Sequence, residues 1–97
     1  MATYIVLINW TDKGIGDFKN AVGRARAAGE AAERLGGKIR ESFWTVGPYD
    51  VVSIADFPDD ETATAFLLQA GSLGNVRTTT LRAFNSDQIS AIISKAS

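Results

Sequence analysis

The apolar residues of this chain alternate between two spacings, and the alternation outlines the elements. Tyr4-Ile5-Val6-Leu7-Ile8 is an unbroken run of β-branched, aliphatic and aromatic residues, the composition of a strand covered on both faces. After the polar and glycine-containing stretch Asn9–Gly16, the spacing becomes helical, with Phe18, Ala21, Val22, Ala25, Ala28, Ala32 and Leu35 recurring every three or four residues. This predicts one helix that starts at an N-cap on Asp17 and stops at Gly36-Gly37. Strand character returns from Lys38 to Val46 and from Tyr49 to Phe57, two runs joined at Gly47-Pro48, which reads as a hairpin. Pro58-Asp59-Asp60 opens a second helix with its apolar stripe on Ala63, Phe66, Leu67 and Ala70, ended by Gly71 or Gly74. Asn75 to Asn85 gives a fourth strand, threonine-rich in the middle, and Ser86 caps a short last helix carrying Ile89, Ile92 and Ile93 on one side.

The order β-α-β-β-α-β plus a terminal helix is the split βαβ arrangement of an α+β, ferredoxin-like sandwich. Two helices cover one face of a four-stranded sheet and leave the other bare. Strict alternation assigns Tyr4, Val6, Ile8, Trp44, Val46, Val51 and Leu81 to the bare face, although a slip of one residue exchanges the two faces. An apolar patch of that size is unsuited to a monomer. The expectation is a homodimer whose sheets pack face to face about a two-fold axis, forming a dimeric α+β barrel.

Length, charge and missing residue types narrow the chemistry. Ninety-seven residues suit a single domain spanning residues 1–97. Ten Lys and Arg against eleven Asp and Glu leave a net charge of -1, too balanced to supply the positive field that nucleic-acid binding requires. The apolar run Tyr4–Ile8 is too short for a signal core or a membrane span and follows no basic segment, so the expected location is cytoplasmic, with no membrane partner. The chain has neither Cys nor His. That removes disulfides, thiolate chemistry, imidazole bases and the commonest zinc ligands, and nothing calls for a metal or cofactor.

Asp50, directly after the hairpin turn, is the candidate general base; equally, a carboxylate in that position can accept local backbone N–H groups and fix the turn. Arg77 and Arg82 on the last strand are candidates to stabilise an enolate or clamp a carboxylate, or to form ion pairs within the fold. Tyr49, Asn75, Trp10 and Trp44 are candidate ligand contacts, and each also has a packing or turn role. Lys13-Gly14-Ile15-Gly16 is a flexible connector, since Lys19 stands where a dinucleotide loop needs a third glycine. Asp59-Asp60-Glu61 fits helix capping better than a cation site.

Gly47-Pro48-Tyr49-Asp50 and Gly71-Ser72-Leu73-Gly74-Asn75-Val76-Arg77-Thr78 resemble the signature segments of the GYD-domain family, and the resemblance extends from Tyr4 to Phe84. Pro48 separates the glycine from the Tyr-Asp pair, which stiffens this turn. The family is similar in topology to dimeric α+β barrel proteins, among them cofactor-free monooxygenases, muconolactone isomerases and amino-acid-sensing domains. The resemblance therefore implies a small organic ligand, apolar or aromatic with an anionic group, held between sheet and helices. Two functions stay open: cofactor-free proton transfer or oxygenation with Asp50 and Arg77 as catalytic residues, and a non-catalytic module that senses a ligand or docks on another protein.

Overall fold

In the computed structural model, which describes residues 1–97, the N-terminal apolar run forms β1 (Ala2–Trp10) at the centre of the sheet. The other strands are β2 (Lys38–Trp44), β3 (Val51–Phe57) and β4 (Val76–Ala83), arranged antiparallel in the order β2-β3-β1-β4. That order, with helices between β1 and β2 and between β3 and β4, is the ferredoxin-like α+β sandwich. The β2–β3 pairing shifts register between Ile39 and Glu41, a bulge that leaves Arg40 free to pair with Asp56 at 2.9 Å.

The segment expected to be one helix is broken. A single turn, α1 (Asp12–Gly16), leads through a 3-10 turn at Phe18–Asn20 into α2 (Ala21–Arg34). Thr11 captures the first turn because its hydroxyl does two jobs, accepting from the Gly14 amide at 3.1 Å and donating to the Gly74 carbonyl at 2.6 Å. Asp17 makes no side-chain cap; its carboxylate takes Asn20 and Arg24 instead. The supposed flexible connector is thus helical and tied to the Leu73–Asn75 backbone that leads into β4. Phe18 and Val22, expected in the apolar stripe, are 58% and 60% exposed.

α3 (Asp60–Ser72) follows its predicted stripe, burying Ala63 and Phe66. Its N-cap is Asp59, which accepts from the Thr62 hydroxyl at 2.7 Å and the Thr62 amide at 2.8 Å. These bonds, the hydroxyl first, hold the Asp59 carboxyl below its ordinary value. α4 (Ser86–Ala96) is capped by Asn85, one residue before the expected Ser86.

The face assignment is reversed for five of the seven residues named above, and a sixth, Val46, lies outside the sheet. Tyr4, Val6 and Ile8 stand opposite Ala55, Ser53 and Val51 on the helix-covered side, with Trp44 opposite Val51, and Val46 lies in the β2–β3 loop, fully exposed. Leu81 is correctly placed: it pairs with Ile5 on the bare side, with Leu7, Val52 and Ile54 alongside. Burial of Tyr4 settles which way β1 faces, because its ring meets Phe57 edge-on at 6.2 Å and its hydroxyl donates to the Asp60 carboxylate at the start of α3. A bare apolar face is present as expected, built from the odd-numbered residues of β1.

The packed core is small and lies at one end of the sandwich. Tyr4, Val6, Ala32, Ala55, Phe57, Ala63 and Phe66 form it, with the Phe57 and Phe66 rings 5.1 Å apart. Ten residues are buried while fourteen large apolar side chains are exposed.

The α1 glycines make a direct test of this packing. A Cβ on Gly14 would collide with the Asn75 carbonyl oxygen, whereas one on Gly16 meets nothing within 4 Å. Gly14→Ala should cost about 1–3 kcal/mol in urea unfolding, as overpacking does, and Gly16→Ala should be neutral or stabilising by up to about 1 kcal/mol. Equal effects would show that α1 is not seated on the Asn75 backbone.

Candidate functional site

Away from the packed end, the residues between helix and sheet are too small to fill the space. α2 presents Ala21, Ala25, Ala28 and Ala31, and β3 answers with Ser53 and Ala55. The result is a cavity of about 420 Å³, within the size range of organic-ligand sites. Its wall is mostly apolar: Val6, Ile8 and Trp10 from β1, Trp44 from β2, Val51 from β3, Phe66 and Leu67 from α3. Ser42 and Ser53 hydrogen-bond to each other at 2.8 Å in the wall, giving a hydroxyl pair with a free donor and lone pairs to spare. The only charged liners are Arg24 and Arg34. Arg24 is engaged: it donates to Asp17 at 3.1 Å and to the Gly14 carbonyl at 3.0 Å, bracing α1 against α2.

The residues singled out in the sequence divide into two groups. Trp10, Trp44 and Asn75 come together on the cavity wall. Asn75 also has a backbone role, its carbonyl accepting from Thr11 at 3.0 Å. Asp50, Tyr49, Arg77 and Arg82 lie outside that wall.

Asp50 is fully engaged in closing the sheet. Its amide donates to the Ile8 carbonyl at 2.9 Å, its carbonyl accepts from Thr45 at 2.9 Å, and its carboxylate accepts from the Trp10 amide at 2.8 Å. Through the Trp10 amide it is tied to the strand end that carries a cavity-lining ring. The Tyr49 carbonyl accepts from the Thr45 hydroxyl at 2.6 Å, so Thr45 staples both sides of the turn. Arg77, on the edge strand β4, is exposed, pairs in register with Asn9, and lines a second pocket with Leu67, Leu68 and Ser72 of α3, outside the main cavity. Arg82 lies over the rings of Phe84 and Tyr4, 4.5 and 5.6 Å from their centroids, and donates to the carbonyls of Ala83 and Thr3.

The sequence reading passed over Arg24, Arg34, Ser42 and Ser53. Ser42 sits on a strand among apolar residues, and its pairing with Ser53 depends on the bulged register. The alanines of α2 were visible as a helical stripe; the signal in them was size, since a stripe of alanines opposite serine and alanine leaves volume unfilled.

No helix is long and apolar enough to cross a membrane. Fold and cavity together define a ferredoxin-like α+β protein with an apolar chamber between sheet and helices. The chain belongs to the GYD domain family, whose profile matches residues 4–93. A Thermus thermophilus relative, named glutamine synthetase and cystathionine beta-lyase binding protein, is 32% identical over 84 residues, covering 86% of this chain and 88% of the relative. A crystal structure of a protein from Thermus thermophilus matches with a TM-score of 0.58 at 33% identity, over 89% of this chain and 96% of that one. A feast-or-famine regulatory protein of M. tuberculosis complexed with L-methionine matches with a TM-score of 0.68 at 16% identity, over 89% of this chain and 52% of that one. The chain spans about half of that regulator, and the likeness is one of fold.

Tyr4 supplies a pH signature of the packed end. Burial first, then the hydrogen bond to Asp60 and the Asp60 charge, raise its phenol from 10.0 to about 12. The folded state then holds the proton more tightly than the unfolded state, so the contribution is complete below pH 10 and is lost as pH rises toward 12. Two pH units correspond to roughly 2–3 kcal/mol. The stability difference between wild type and Tyr4→Phe should shrink by about that amount across this window in urea titrations; a constant difference would contradict the buried Tyr4–Asp60 bond.

Proposed function

We propose that the protein is a homodimeric, non-catalytic module that binds a small, largely apolar organic anion in the chamber beneath α2. The observation that carries this reading is the cavity itself: an apolar wall with two tryptophans, a hydroxyl pair, and positive charge only. An apolar body fits the wall, and an anionic group fits the absence of any carboxylate along it. Catalysis is the weaker reading, because the Asp50 carboxylate accepts from the Trp10 amide and neither Asp50 nor Arg77 lines the chamber. The name of the Thermus relative supports a module whose bound state is read by a partner enzyme.

Dimerisation follows from the bare face. Ile5, Leu7, Val52 and Ile54 lie in adjacent rows there, flanked by Phe43 and Leu81 at 52% and 49% exposure. A second copy placed about a two-fold axis would cover these rows with the same rows.

Both tryptophans of the chain line the chamber, so their emission reports on its contents. The probe 8-anilinonaphthalene-1-sulfonate should quench it saturably. Ala28→Phe, which fills the chamber from α2, should weaken that quenching at least about tenfold while preserving the fold, a difference of about 1.4 kcal/mol. Identical quenching in the filled variant would place the probe elsewhere and remove the chamber as a ligand site.

Sedimentation tests the second half of the reading. Wild type should sediment as a dimer, and Leu7→Lys, which puts a charge in the middle of the bare face, should sediment as a folded monomer. A dimer that tolerates Leu7→Lys uses another surface.

A further inference from the structure

The floor of the chamber carries a polar feature that its shape does not require. Ser42 and Ser53 face each other across β2 and β3, their hydroxyls 2.8 Å apart, and Ser53 is only 5% exposed. Neither stands at the rim. Ile39 and Trp44 line the chamber on either side of Ser42, and Val51 and Ala55 on either side of Ser53. Val6 continues the row on β1, opposite Ser53. Were these positions needed only to keep the floor low, alanine would serve, as it does at Ala55, without the desolvation cost of two hydroxyls among apolar side chains.

The hydrogens of the pair show what it lacks. Two hydroxyls bring two protons, and the bond between them uses one. Whichever serine donates, the other keeps an O–H with no acceptor in the chain. A ligand that fills the chamber displaces water from this proton, and must then supply an acceptor or bind with the O–H unmet. A neutral carbonyl oxygen suits the place better than a carboxylate, because a buried charge needs a counter-ion or several donors and the pair offers one proton among apolar neighbours. The counter-ion stands elsewhere on the wall. Arg34, in the last turn of α2, lines the chamber while exposed and free of any ion pair, whereas Arg24 is held by Asp17.

We infer that the Ser42–Ser53 pair is the specificity-determining contact of the chamber, and that the ligand is a keto, ester or amido acid with apolar substituents: its neutral carbonyl oxygen accepts from the pair, and its separate anionic group lies at Arg34. This rests on the chamber binding an organic anion, as proposed above, and adds to that reading which group of the ligand sits inside and which sits at the exposed end. An analogue of the same shape without the carbonyl oxygen leaves the serine proton unmet and is discriminated against for that reason.

Two probes differ at the atom in question. 4-Benzoylbenzoate carries a ketone between two rings and a terminal carboxylate; 4-(1-phenylvinyl)benzoate has a methylene group in place of the ketone oxygen and is otherwise the same. Titration calorimetry on the full chain gives the ratio of their affinities. From wild type to the Ser42→Ala, Ser53→Ala double variant this ratio should shift toward the alkene by roughly tenfold, the worth of one hydrogen bond. Urea unfolding of the double variant should show a stability equal to or above wild type, since both partners are removed together. Arg34→Gln should weaken both probes by a similar factor and leave their ratio alone. An unchanged ratio in the double variant overturns the serine contact, and weaker binding of both probes to Ala28→Phe then keeps the chamber as the site. Should Ala28→Phe bind both probes as wild type does, the chamber reading falls and the carbonyl contact with it. An Arg34→Gln variant that weakens neither probe overturns the placement of the anionic group.

Discussion

The direction in which β1 faces governs the rest of the molecule. Antiparallel pairing to β3 and β4 locks Tyr4, Val6 and Ile8 to one side and Ile5 and Leu7 to the other, and a strand with period two cannot satisfy part of each arrangement. Tyr4 decides the choice. Turned inward, its ring has Phe57 to pack against, its hydroxyl has Asp60 to donate to, and the Arg82 guanidinium lies over its outer face. Turned outward, it would surrender all three, and Ile5 and Leu7, which have no hydroxyl for Asp60, would take its place. Everything on the helix side, core and chamber alike, is built from the residues that share Tyr4's parity.

From that choice the uneven packing follows. Large residues are concentrated where β1 begins and β3 ends, so Phe57, Phe66 and Tyr4 fill the space around Ala32 and Ala63. Towards the other end the inward residues of β3 are Ala55, Ser53 and Val51, and the helix above them offers alanine. Small side chains on both layers would ordinarily let the layers close together. Here the separation is held at both ends, by the aromatic cluster on one side and on the other by α1, whose cap Thr11 and whose Lys13 donate to the Leu73–Asn75 carbonyls and whose Gly14 carbonyl receives Arg24. The chamber is therefore a product of its supports, and those supports are polar and local.

Much of the element order was legible in the sequence because it rests on short-range patterns. The continuous run at Tyr4–Ile8, the stripe Ala63-Phe66-Leu67-Ala70 and the glycine-bounded hairpin each carry their signal within a few residues. What escaped depends on residues far apart. Thr11 outcompetes Asp17 as a cap only because the Gly74 carbonyl is there to take its proton. The parity of β1 depends on Asp60, fifty-six positions away. The β2 bulge depends on Asp56 holding Arg40. Among the candidate site residues, Trp10, Trp44 and Asn75 meet because strand ends converge at one edge of the chamber; Asp50 touches this group through the Trp10 amide, whereas Arg77 and Arg82 lie elsewhere on β4.

Asp50 shows how one observation separates two roles that look alike in a sequence. A general base needs a carboxylate with an open lone pair directed at substrate. A brace needs one directed at backbone. The Asp50 carboxylate receives the amide of Trp10, the last residue of β1, while its own amide reaches Ile8, so one side chain and one peptide group seal the end of the β1–β3 ladder. Trp10 is the residue whose ring then turns into the chamber. Asp50 of the Tyr-Asp pair thus has a structural part here: it fixes the strand end from which the chamber's aromatic wall is hung. The same logic suits a stiff Pro48, since the turn holds Asp50 in register with β1.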